Sequence, residues 1–287
     1  MNSDPFAPSK KLLGYNSMIA QEQQKENPDI PKDFVKFNEL IGNPIHPATH
    51  QQMCLTPYQL DFFKKIDESL LHKYHLNKGR QMGFTELVIR ILLFYAMTKY
   101  SAGKIVIMAG TRLDTTKDIF ARLTTLIKNL APYVQSAGPN SIIFANGVEI
   151  ISLPAQSEAI MGLTKIRAIL MDEAAKWNLR DDRPVMNAVM PIVRSNHSDL
   201  FMISTPKGPR GFFYDIDNEN SGDFLKIKYS IWETEGNLYT REEIEAMLAS
   251  TTEDPKQEYL NEYVAGRDSI FGSLGEEDED DSMEEWR

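Results

Sequence analysis

The sequence predicts an α/β fold with a mainly parallel central sheet flanked by helices. Three observations carry this. Short apolar runs without polar alternation, KIVIMAG (104–110), RAILMD (167–172) and DLFMIS (199–204), read as strands buried on both faces. Longer stretches with helical apolar spacing separate them, and alternating strands and helices build parallel sheets. The 287 residues, 42% hydrophobic and 25% charged, suffice for one large soluble domain with a substantial core.

Taken in order, residues 1–52 are rich in Pro, Asn, Gln and Lys and read as an extended arm with one short helix near Phe34–Ile41. The main domain, 53–271, opens with a helix over PYQLDFFKKIDESLL (57–71), and the short strand HKYHLN (72–77) leads into KGRQMGFTE. Helices follow over 85–100 and 111–130, on either side of the strand at 104–110. SIIFANGVEIISL (141–153) reads as a β-hairpin turning at Asn146-Gly147. After the strands at 167–172 and 199–204 come a strand at 224–231 and a helix opening at Thr240, with Glu243 in capping-box spacing. A final helix is expected through Tyr263, and residues 272–287 are an acidic tail expected to be disordered.

Composition bounds the function. No apolar run reaches the roughly 20 residues a membrane helix needs, so no membrane role is expected. The opening MNSDPFAPSKK lacks a secretory apolar segment and Cys54 is the only cysteine, which together point to a reducing, cytoplasmic setting. Of the net charge of −10, −7 falls within 276–287, leaving −3 for the rest. Charge therefore neither supports nor excludes a nucleic-acid partner.

The chemistry concentrates in two segments. KGRQMGFT (78–85) lies at a strand-to-helix junction and follows the phosphate-loop pattern G-x-x-x-x-G-K-[ST], through Lys78, Gly79, Arg80, Gln81, Met82, Gly83, Phe84 and Thr85. Loop amides and the helix N-terminus would cradle phosphates, and the Thr85 hydroxyl suits magnesium. Phe84 stands where the pattern has lysine. Lys78, at the first position, is the candidate replacement, reaching back across the loop, with Arg80 as a second cation. The apolar strand RAILMDE then ends in Asp172-Glu173. Asp172 would hold Mg2+ opposite Thr85, and Glu173 would orient or deprotonate an attacking water.

With these segments, LTPYQLDFF, MGLTKIRAILMDEAAKW and LFMISTPKGPRGFFYDI appear in an order that resembles the ATPase part of a large terminase, the viral DNA-packaging motor. The likeness runs from about Leu55 to Phe271, and the displaced lysine resembles the variant loop of lambda-like members. It implies a P-loop NTPase of the catalytic-glutamate (ASCE) class that binds ATP and Mg2+. It further implies that Gln59 reads the adenine edge and that Ser204, Thr205 and Pro206 couple hydrolysis to movement. Double-stranded DNA, a viral portal and a small terminase are the implied partners, with a weak homo-oligomer forming a ring on assembly in the host cytoplasm.

Two features depart from the family. Met161-Gly162 stands where many members have an Arg-Gly whose arginine can act on a neighbouring subunit's ATP, a part that Lys165, Arg167 or Arg80 could take instead, and the chain stops where a nuclease domain would begin. No nuclease activity is expected of this polypeptide; a separate chain could supply it. The rival readings are a helicase-like ATPase and a catalytically silent scaffold. Thr85, Asp172 and Glu173 count against the scaffold, which has no need of a water-activating acid.

The remaining features have plainer expectations. His46 and His50 lie in a loop with too few neighbouring ligands for zinc, and His72, His75 and His197 are expected at the surface or its boundary. Trp177 and Trp232 are expected in the core or at its rim, and Phe212, Phe213 and Tyr214 to pack the helix after the third motif. Lys207, Arg210 and the basic residues of 180–194 are expected to form a solvated face.

Overall fold

A computed structural model describes residues 29–110, 113–177, 182–219 and 222–265. The acidic tail and residues 1–28 of the arm lie outside them. Helices α1 (Phe34–Ile41) and α2 (Pro57–Asp67) lead into β1 (Lys73–Lys78), α3 (Phe84–Thr98), β2 (Gly103–Met108) and α4 (Leu113–Leu126). The chain continues through β3 (Val134–Ala137), β4 (Ser141–Phe144), β5 (Val148–Leu153), α5 (Ser157–Ile160), β6 (Ile166–Asp172), α6 (Arg183–Asn196) and β7 (Asp199–Ser204). It ends with α7 (Gly211–Asn218), β8 (Leu225–Tyr229), α8 (Arg241–Leu248) and α9 (Pro255–Glu258).

One eight-stranded sheet has the order β3-β4-β5-β2-β6-β7-β1-β8. Strands β5, β2, β6, β7, β1 and β8 are mutually parallel, and β3 and β4 add an antiparallel edge. The hairpin turn falls at 145–147, where Gly147 takes φ +81° and the Asn146 side chain accepts from the Val148 amide at 3.1 Å. Apolar side chains leave both faces of the sheet. Leu76, Ile105, Ile107 and Phe201 join α2 and α3 on one face, while Val106, Ile169, Met171 and Met202 meet α6 and α7 on the other. Burial on both faces is why these strands read as unbroken apolar runs. The arm segment also belongs to this core: Phe34, Phe37 and Ile41 of α1 pack into the first face.

Three expectations are corrected. The helix expected over 111–130 ends at Leu126 and tightens into a 3-10 turn, Ile127–Tyr133, that contains Pro132. The final helix stops at Glu258 rather than Tyr263. Beyond it the Tyr259 carbonyl accepts from the Ile231 amide, and Asn261, at φ +64°, donates to the carbonyls of Asn77 and Tyr229. Tertiary hydrogen bonds outcompete another helical turn there. His75, expected near the surface, is fully buried on β1, with Nε2 2.9 Å from the Phe213 carbonyl and its ring 4.0 Å from that of Phe213. Among the described residues, no helix is long and apolar enough to cross a membrane.

Candidate functional site

Parallel strands deliver their C-terminal ends to one edge of a sheet, and ligands bind in the crevice beyond that edge. Here β1 ends at Lys78, β6 at Asp172 and β7 at Ser204, with β7 lying between the other two. Three segments distant in sequence thus meet at one edge, beside a cavity of about 890 Å³. Its wall includes the loop 78–85, Glu173, the stretch 41–45 after α1, and Leu238 with Tyr239 on the way to α8.

The loop is built to present amides. The N–H groups of Gln81 to Glu86 meet no acceptor within the described protein, and they sit at the N-terminus of the 15-residue helix α3. Gln81 and Gly83 both take left-handed φ, +59° and +75°. At Gly83 a Cβ would also come within 3.0 Å of Gln59 Nε2. Unpaired amides, a helix dipole and a tight turn together form a cradle for anionic oxygens. Gly79 and Arg80 do not share in it, because their amides donate to the carbonyls of Tyr229 and Glu258, both at 2.8 Å.

Phe84 takes no part through its side chain. The ring is 1% exposed and packs against Tyr58, Phe62 and Tyr229, with centroids at 5.6, 5.4 and 5.2 Å. The loop position normally held by lysine therefore faces the core, leaving only its amide for phosphate. Met82 is likewise buried, and its carbonyl accepts from Tyr58 Oη at 2.9 Å.

Lys78 brings an ammonium to this edge. Its side chain is 6% exposed, and Nζ reaches Glu173 Oε1 at 2.7 Å and Thr205 Oγ1 at 3.5 Å. Thr85 Oγ1 donates to Asp172 Oδ1 at 2.9 Å. Burial and the neighbouring Glu173 charge push the Asp172 carboxyl up to about 6, against the pull of Lys78 and Thr85. Burial also pushes Glu173 upward, but Lys78 and Lys176 outweigh it and hold this carboxyl below its ordinary range. Glu173 sits at φ +50°, a conformation non-glycine residues rarely adopt, and one of its carboxylate oxygens is buried without a hydrogen-bond partner. Backbone strain of this kind collects at functional positions.

The other sequence candidates are placed as follows. Arg80 lines the cavity, while its guanidinium lies 3.6 Å from Glu258 and 3.9 Å from Glu253. Gln59 lines the cavity too, but its Oε1 accepts from the Thr56 amide at 3.0 Å, capping α2. Ser204 Oγ donates to the Thr205 carbonyl and accepts from the Ala175 amide at 3.2 Å, so the third motif touches the turn after Glu173. Thr205 and Pro206 are buried beside it.

Three supporting residues escaped the sequence reading. Trp177, expected only as core or rim, donates from Nε1 to the Asp172 carbonyl at 2.9 Å. Lys176, three residues beyond Glu173, lies 3.8 Å from its Oε2. Buried Arg90 on α3 binds Glu86, Asn38 and the Gly42 carbonyl at 2.9, 3.0 and 2.7 Å, fixing the stretch that walls the cavity. A helix register could have flagged the Arg90–Glu86 pair; nothing local points Arg90 to Gly42.

Comparison with known proteins finds one family match and several similar folds. Residues 75–272 match the family described as terminase large subunit, T4likevirus-type, N-terminal. Among curated proteins none matches. Solved structures similar in fold include the large terminase ATPase domain of Thermus phage P74-26, at 20% identity and TM-score 0.59, covering 84% of this chain and 100% of that one. The HK97 bacteriophage large terminase matches at 16% identity and TM-score 0.62, over 80% of this chain and 54% of that one. The large terminase of a thermophilic bacteriophage, in complex with ATP-gamma-S, matches at 14% identity and TM-score 0.54, over 73% and 53%.

Proposed function

The chain belongs to the terminase large-subunit family, of the T4-like-virus type, and we propose that its cavity binds ATP with Mg2+ and hydrolyses it to drive double-stranded DNA into a viral shell. One observation carries the reading. The phosphate loop meets Asp172 at the end of β6 and Glu173 just beyond it through matched contacts, Thr85 to Asp172 at 2.9 Å and Lys78 to Glu173 at 2.7 Å.

The donors suit Mg2+. Asp172 is a buried carboxylate hydrogen-bonded to the Thr85 hydroxyl, and burial with the Glu173 charge outweighs the pull of Lys78 on it. A carboxylate and a hydroxyl side by side are oxygen donors of the kind a hard cation takes together with water and phosphate oxygens. When bound, Mg2+ neutralises charge on the β- and γ-phosphates. Thr85 and Asp172 would hold it.

The remaining steps belong to the chain's own groups. Amides of 81–86 would bind phosphate oxygens, and Gln59, which lines the cavity with the 41–45 stretch, would meet the adenine edge. The Lys78 ammonium has two claimants: Glu173, which it now contacts, and the phosphates of an entering nucleotide. Its transfer to phosphate frees a carboxylate that is ionised and partly exposed, suited to orient water and receive its proton. Ser204, bonded to the Ala175 amide, is placed to carry a shift of Glu173 into β7 and Thr205-Pro206.

By this reading, the DNA duplex, a portal, a small terminase and further copies in a ring are the partners in the host cytoplasm. The test is steady-state Mg2+-dependent ATP hydrolysis, with and without double-stranded DNA. Glu173→Gln should bind ATP yet lose turnover by about 100-fold or more. Wild-type hydrolysis in that variant would remove Glu173 from its role, and no hydrolysis by the wild type at ring-forming concentration would favour a silent scaffold.

A further inference from the structure

Glu258 lies far in sequence from the phosphate loop and from β6, yet its carboxylate joins them. Oε2 lies 3.2 Å from Lys176 Nζ and 3.6 Å from Arg80 Nη1, so one oxygen is shared by two cations. A phosphate oxygen makes the same arrangement. Arg80 lines the cavity, and Lys176 is 3.8 Å from the catalytic candidate Glu173, so both cations stand at the margin of the proposed site.

The segment carrying Glu258 is fastened to the loops and strand ends around that site. The Glu258 carbonyl accepts the Arg80 amide at 2.8 Å. Gln257 Oε1 accepts the Gly208 amide at 2.9 Å, in the loop after Ser204-Thr205-Pro206. Asn261 Nδ2 donates to Asn77 and Tyr229, each at 2.9 Å, at the ends of β1 and β8. The stretch 257–261 is thus a strap across the sheet edge, and the two ion pairs of Glu258 are its electrostatic clasp.

We infer that Glu258 is a positioning residue that stands in for a phosphate: it holds Arg80 and Lys176 until nucleotide phosphates claim them, and the strap then loosens. The inference rests on reading the cavity as a nucleotide site. Its physical basis is competition. Arg80 faces Glu253 and Glu258, and Lys176 faces Glu173 and Glu258, so both cations are already engaged by carboxylates. Triphosphate adds further negative charge, which attracts the cations and repels Glu258. Nucleotide binding and strap attachment therefore oppose one another, and such coupling is reciprocal.

The experiment uses the full chain with Mg2+ and a fluorescent ATP analogue, alongside hydrogen exchange over 253–265. Glu258→Gln keeps the shape and backbone carbonyl but drops the competing charge. It should tighten nucleotide binding by about threefold to tenfold. It should also speed strap exchange without nucleotide to the rate the wild type reaches only with nucleotide. Glu258→Asp should restore wild-type behaviour. Lys176→Gln, a second route, should loosen the strap and weaken nucleotide binding together, whereas a purely structural lysine would only loosen the strap. Normal wild-type binding with no change in Glu258→Gln overturns this inference alone. Absence of nucleotide binding by the wild type overturns the site reading and this inference with it.

Discussion

Substitutions at Lys78 and Phe84 separate a displaced lysine from an ordinary loop, because the proposed function gives the two residues opposite tasks. Phe84 is a core residue with three aromatic neighbours. Truncating a buried Phe to Ala costs about 3–5 kcal/mol, and each kcal/mol lowers the melting temperature of a domain this size by roughly 2–4 °C. Phe84→Ala should therefore melt about 10 °C lower, yet bind Mg2+-ATP nearly as well as the wild type wherever it is folded. Lys78→Ala should do the reverse. Glu173 keeps Lys176 at 3.8 Å, and its side chain is one-third exposed, so the loss of stability stays near 2 kcal/mol or below. Removing a charged hydrogen bond to phosphate costs about 1.5–3 kcal/mol, or about 10- to 100-fold in affinity. The assay is a fluorescent ATP titration with a thermal melt of each variant. A Phe84→Ala protein with unchanged melting but weaker binding than Lys78→Ala would refute the assignment.

Two further outcomes follow from buried polar groups. Burial pushes His75 down to about 4 from its ordinary 6.5, so the fold prefers the neutral ring. Below pH 6.5 the unfolded chain takes up a proton that the folded chain refuses, and stability should fall by about 3 kcal/mol between pH 6.5 and 4. Urea denaturation at pH 7.5 and 5 checks this, and His75→Gln should flatten the slope; an unchanged slope would place its origin elsewhere. Arg90→Met should cost about 3–5 kcal/mol, because Glu86, Asn38 and the Gly42 carbonyl lose a buried charged donor. A melting temperature within 2 °C of wild type would show that these bonds contribute little.

The sequence by itself determined what is periodic or local. Buried parallel strands such as 104–110 and 167–172 show as unbroken apolar runs because both faces of the sheet are covered. The Thr240–Glu243 cap and the Asn146-Gly147 turn are set by side-chain-to-backbone bonds two or three residues apart, so they too were legible. Lys78, Thr85, Asp172 and Glu173 could be named because each closes a strand or opens a helix within a recognisable spacing. Tertiary structure alone decided which way each points. Phe84 turns inward because Tyr58, Phe62 and Tyr229 arrive from α2 and β8 to receive it. His75 is buried because α7 covers its face of the sheet. The last helix ends at Glu258 because Asn77, Tyr229 and Ile231 offer better partners than the next turn would. A local pattern records what a residue can do with its chain neighbours; packing between distant segments settles which groups face solvent, core or ligand.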